Sequence, residues 1–146
     1  MQSFLKCLLI LPMLMLVQNI VFAQEDPIEG VWFNEEKSAK IKIYRAKNQK
    51  FYGKIVWLER PEEDGKPRVD KNNPDKSKRT EPINGLLILK GFVKDGDKEY
   101  EDGTIYDPKN GKTYSCIIKH NGEELDVRGY VGFSWIGRTT VWSKAE

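Results

Sequence analysis

The chain has little with which to do the commonest kinds of chemistry. It holds one histidine, His120, and two cysteines, Cys7 and Cys116. No pair or trio of these residues stands at zinc-ligand spacing. No glycine-rich loop is placed to cradle a phosphate. His120 and Cys116 lie four apart on one expected strand, which separates them by roughly 13 Å, too far for a nucleophile pair. Charge of one sign is lacking too. Twenty-four basic residues face 22 acidic ones, a net charge of +2, without the basic surplus of a nucleic-acid binder. No stretch after residue 24 keeps helical three-four spacing for long.

The one long apolar run stands at the amino terminus, from Cys7 to Val17 after Lys6. Polar Gln18 and Asn19 follow, then Val21-Phe22-Ala23. This is the order of a secretory signal peptide, with cleavage expected after Ala23. The run contains Pro12 and is shorter than the roughly 18 apolar residues of a membrane span, so an uncleaved anchor fits less well. With no second such segment, the remainder is expected to be one soluble domain, 24–146, exported to a periplasm or secreted. Cys116 is its only cysteine, so no internal disulfide is available. Set in the apolar run TYSCII, it reads as a buried small hydrophobe. His120, just before a turn, is expected to be solvated.

What is present is short alternating runs rich in Val, Ile, Tyr, Phe and Trp. They predict strands near 30–34, 39–46, 50–58, 86–94, 99–107, 112–119, 124–131 and 137–143. Ile41 and Ile43 alternate with lysines, and Leu125 and Val127 with Asp126 and Arg128, giving one dry and one wet face. Asp95-Gly96, Asn110-Gly111 and Asn121-Gly122 are tight-hairpin turns, and AKNQK joins the second strand to the third. Consecutive hairpins predict an all-β fold: a small antiparallel up-and-down barrel of about eight strands, closed so that neither edge is left bare. Outward Lys40, Lys42, Lys54, Asp126 and Arg128 exclude a lipid-facing barrel wall.

One segment breaks the alternation. Residues 59–82 hold four of the seven prolines, seven acidic and seven basic residues, and Val69 as the sole aliphatic. Such a loop is either a binding lid or a flexible excursion. Its Asp70, Asn72 and Glu81 stand at positions one, three and twelve of a calcium-loop count. Position five is Pro74, however, and position six is Asp75 in place of glycine, so no EF-hand is expected. A cation site of another kind is the alternative to Asp and Asn simply capping turns through nearby backbone, the better-supported reading; no metal or cofactor is expected elsewhere.

Gly30-Val31-Trp32 at the first strand and Gly137-Arg138 at the last resemble the G-x-W signature of lipocalins. There the Trp plugs the closed end and an Arg from a late strand stacks over it, so the resemblance implies that Trp32 and Arg138 close the barrel. A longer series also runs in order through the chain: GVW, YGKIVWL, Asp70 to Asp75, Ile83-Asn84-Gly85, Gly91-Phe92, DGTIYDPKNGKTY, LDVRGYVG and GRTTVW. It is similar to the bacterial family called domain of unknown function 2147. That resemblance implies an exported barrel-like domain, favours a Gram-negative periplasm, and carries over no activity and no site residue.

The expected function is binding of a small apolar or amphipathic ligand in the barrel, gated by 59–82. The candidate ligand site is Trp57, Asp70, Asn72, Tyr106, Arg128, Tyr130 and Trp135. The glycine-rich stretch GYVGFSWIG, which holds the last two, either presents aromatics at the rim or simply turns a corner. The alternative is an envelope structural or interaction protein with a filled interior. An enzyme would need Asp70 or Asp107 to approach Arg128, Arg138 or Arg68.

Overall fold

Burial in the computed structural model, which describes residues 24–145, follows the alternation strand by strand. The expected leader, with Lys6, Cys7 and the cleavage position after Ala23, lies outside the described residues. In β2 (Ala39–Arg45) the side chains of Ala39, Ile41 and Ile43 are buried while Lys42 is exposed. In β9 (Glu124–Tyr130) Leu125 and Val127 are buried between more exposed neighbours. Period-two burial of this kind places one face of each strand inside a common core.

The remaining barrel strands are β1 (Gly30–Phe33), β3 (Phe51–Leu58), β6 (Leu87–Asp95), β7 (Glu99–Asp107), β8 (Lys112–Asn121) and β10 (Gly137–Lys144). Each pairs antiparallel with its neighbour, in the closed order β1-β10-β9-β8-β7-β6-β3-β2. The expected eight-stranded up-and-down barrel is therefore the observed one, and every expected strand boundary lies within two residues of its place. The only interruption is the segment between β3 and β6. It forms a small ribbon of β4 (Glu62–Glu63) and β5 (Lys66–Pro67), then a 3-10 turn at Lys76–Lys78. No helix among the described residues is long and apolar enough to cross a membrane.

Closure depends on close approach inside the ring. A Cβ on Gly103 of β7 would overlap the ring of Phe92, so only glycine lets that ring cross the core. Cys116 is fully buried, and burial pushes its thiol up to about 12. It is an inert core residue, as its apolar flanks predict.

One end of the barrel is solid. The turn at Asp26 to Glu29 crosses it, dropping Ile28 and Trp32 into the core with no exposed surface. The Trp32 indole N–H donates to the Ile28 carbonyl at 2.8 Å. Asp26 anchors the turn: it accepts from the Tyr100 hydroxyl, from Lys94 Nζ at 2.6 Å and from the Ile28 amide at 3.2 Å. Burial works to raise the Asp26 pKa, but these donors outweigh it and hold the carboxyl below its ordinary value. Phe51 packs edge-on against Tyr100, with ring centroids 5.2 Å apart.

Two expectations about this end are corrected. Arg138 does not cover Trp32. In the β1–β10 ladder Trp32 pairs with Lys144, so Arg138, at the start of an antiparallel β10, stands at the opposite end. The cation near the indole is Lys144, 5.9 Å from the ring centroid. His120 is also not fully solvated. It is half-buried, edge-on to Trp32 with centroids 5.9 Å apart, and burial first, then nearby Lys144, lowers its pKa.

Candidate functional site

The other end of the barrel is hollow. A cavity of about 830 Å³ opens there to solvent, running from the exposed rim down to Ile41, Ile55 and Val127, which keep only 1–4 % of their surface accessible. The inward positions of the strand ends explain it. Where the solid end carries Trp32, Phe51, Phe92 and Tyr100, the hollow end carries Ile41, Ile55, Ile88, Ile105 and Thr140, with no inward side chain at all at Gly129. A Cβ on Gly129 would meet nothing nearer than Ile105 Cγ2 at 3.6 Å and Tyr114 Cβ at 3.7 Å. Trp142 floors the cavity, its indole N–H donating to Thr140 Oγ1 at 3.2 Å.

The mouth is polar, and its charges are matched in pairs. Lys109 Nζ lies 2.7 Å from Glu36, Lys71 Nζ 3.1 Å from Glu63 and Arg138 Nη2 3.4 Å from Glu35. The hydrogen bond from Lys109 holds the Glu36 carboxyl below its ordinary range. These pairs are exposed and add little stability; they surround an apolar wall with a wetted ring. Arg68 also borders the cavity and makes no ion pair among the described residues, donating instead to the Arg60 carbonyl at 3.4 Å.

The polar segment after β3 is strapped across this mouth. Asp70, fully buried, accepts from the Tyr106 hydroxyl at 2.8 Å and from Asn73 Nδ2 at 2.7 Å. Its backbone N–H donates to the Glu81 carbonyl at 2.9 Å. Asn72 Nδ2 donates to the carbonyls of Pro108 at 3.2 Å and Lys109 at 2.9 Å, tying the strap to the β7–β8 turn. At Gly111, where φ is +72°, a Cβ would overlap the Asn72 carbonyl, so the turn accepts the strap only as glycine. Burial first, then the bond to Asp70, pushes the Tyr106 hydroxyl up to about 12.

Of the seven candidate residues, Asn72, Tyr106 and Tyr130 border the cavity. Asp70 lies behind them, both carboxylate oxygens engaged by the protein, and acts as the anchor of the strap. Arg128 points outward, as its alternation with Val127 requires, and donates to the Ser134 carbonyl at 2.6 Å and to Thr139 at 3.0 Å. Trp57 is outside as well. A shift in the β2–β3 ladder pairs it with Lys40, whose Nζ sits 5.6 Å from its ring centroid and 5.0 Å from that of Phe33. Trp135 stands on the β9–β10 loop, 74 % exposed, over a groove on the outer face. Neither Asp70 nor Asp107 forms an ion pair with Arg68, Arg128 or Arg138 among the described residues. Alternation alone does not distinguish the wall residues Ile55, Ile105, Val127 and Gly129, because inward aliphatics read alike whether the space before them is full or empty. The usable signal is the run of small inward residues at one end: Ala39, Gly129 and Thr140.

Residues 30–144 match the family described as "Uncharacterized protein conserved in bacteria (DUF2147)", and the chain belongs to it. Its fold is similar to protein HP1028 from Helicobacter pylori, described as belonging to the lipocalin family. The two superpose with a TM-score of 0.71 at 24% identity, over 81% of this chain and 82% of that one. At that identity the likeness is one of fold. No curated protein matches the chain.

Proposed function

We propose that this member of the DUF2147 family binds one small apolar or amphipathic molecule in the open end of its barrel. The observation that carries the reading is the 830 Å³ cavity, apolar in its wall and ringed by paired charges. Its size lies within the usual range of ligand sites, roughly 300–1,000 Å³. Burial of a hydrocarbon portion against Ile55, Ile105 and Val127 supplies affinity at about 25 cal/mol per Å² of apolar surface removed from water. The polar end of an amphipathic guest would stay at the wetted rim. There Arg68, which has no carboxylate partner among the described residues, is the group that would meet an anionic end. The likeness to a lipocalin-family protein supports the reading at the level of fold only.

Titration with a fluorescent long-chain fatty acid tests it. Saturable uptake of one probe per chain is expected, and Gly129→Leu, which places a side chain into the cavity without a strained backbone, should reduce uptake at least tenfold with the fold intact. Uptake that ignores Gly129→Leu, or no uptake, would refute it.

We propose further that the protein acts after export, with the leader removed near Ala23. The amino-terminal mass of protein recovered from its host checks this, and retention of residues 1–23 would contradict it.

A further inference from the structure

The loop from Val131 to Ile136, joining β9 to β10 at the open end, holds the four most exposed large apolar side chains among the described residues. Val131, Phe133, Trp135 and Ile136 are 70, 64, 74 and 54 % exposed. The loop is nevertheless ordered by its own contacts. The rings of Phe133 and Trp135 stack with centroids 5.5 Å apart and an interplanar angle of 17°. The amide of Phe133 donates to the Val131 carbonyl at 3.1 Å and that of Ile136 to the Phe133 carbonyl at 3.0 Å. Arg128 reaches round to hold the Ser134 carbonyl. Side chains gathered and held in water in this way mark a surface that meets a partner.

Two observations say which partner. Val131 and Ile136 also border the cavity, so the tip and the hollow form one continuous apolar surface. The six residues of the tip carry no charge; of the two arginines on the strands beside it, Arg138 is paired with Glu35 at 3.4 Å, while Arg128 holds the Ser134 carbonyl and has no carboxylate partner among the described residues. We propose that this tip inserts into the interfacial layer of a lipid bilayer containing anionic headgroups, setting the cavity mouth against the membrane. Trp and Phe suit that layer, and an uncharged wedge beside the carboxylate-free Arg128 suits an anionic surface. A guest could then pass between bilayer and barrel without crossing water.

Docking does not depend on the cavity reading, and the two fail separately: vesicle binding reports the tip, and probe uptake from vesicle-free buffer reports the cavity. The experiment is flotation of the protein with phosphatidylcholine vesicles, with and without phosphatidylglycerol. Wild type and the double variant Phe133→Ser, Trp135→Ser are compared with matched amino termini and matched near-UV circular dichroism. Wild type is expected to float, a few-fold more strongly on phosphatidylglycerol, with the double variant at least tenfold weaker and its fatty-acid uptake unchanged. Absence of flotation by wild type, or equal flotation by the variant, overturns the proposal. So does a concentration-dependent wild-type dimer in sedimentation that the variant abolishes, because the tip would then be an interface between copies.

Discussion

The two ends of this barrel are built from the same alternating strands and differ in what those strands point inward. At one end Trp32, Phe51, Phe92 and Tyr100 meet under a turn tied down by Asp26; at the other, aliphatics, a threonine and a glycine leave 830 Å³ open beneath a polar strap. Filled and unfilled interior are thereby separated along one axis. Large rings make the first end a core, and smaller side chains leave the second hollow.

That contrast is sharpest in truncations. Trp32→Ala should cost about 3–5 kcal/mol, because the cavity it leaves is enclosed on all sides. Ile105→Ala, on a wall that already faces open space, should cost about 1 kcal/mol. Urea unfolding of both variants checks the difference, and equal costs would break the comparison.

Polar anchoring at the solid end comes next. Asp26→Asn should lose about 2 kcal/mol at neutral pH, since Lys94 and the Tyr100 hydroxyl lose their charged acceptor. Because Asp26 titrates below its unfolded value of 3.8, the unfolded chain takes up the proton first. The stability Asp26 contributes is therefore present above about pH 4 and is lost as pH falls through the lowered native value. Unfolding curves at a series of acid pH values should be flatter for Asp26→Asn than for wild type.

At the hollow end the matching change is Tyr106→Phe, which removes one donor from a fully buried carboxylate. A loss of about 1–2 kcal/mol is expected, together with faster amide exchange in residues 59–82 and little change in β1 or β10. Uniform acceleration would mean that the strap is not an independent unit.

The smallest effect belongs to His120. Burial lowers its native pKa below the ordinary 6.5, so the unfolded chain protonates first. Stability should decline as pH falls from about 6.5 toward the native value. His120→Gln should remove that slope and leave the acid step of Asp26 in place, which thermal melts across the range would show.

Much of this architecture was legible in the sequence, since alternation and Asp-Gly or Asn-Gly turns act locally and each constrains only its neighbours. What was not legible depends on register or on distant partners. Arg138 was expected over Trp32, but the antiparallel register gives that place to Lys144. Trp57 looked like a pocket aromatic until an irregularity in the β2–β3 ladder set it beside Lys40 on the outside. Asp70 sits in a stretch so polar that burial could not be inferred, and the hydroxyl that satisfies it comes from Tyr106, 36 residues away. The hollow was the hardest to read, because pattern fixes which way a side chain points and says nothing of how well the space before it is filled.

Backbone amide shifts during titration with a long-chain fatty acid test the division between the two ends most directly. The changes should gather at Ile55, Ile105, Val127 and Gly129, leaving Trp32, Ile118 and Leu125 in place. Shifts centred on the solid end, or scattered over the outer face, would contradict it.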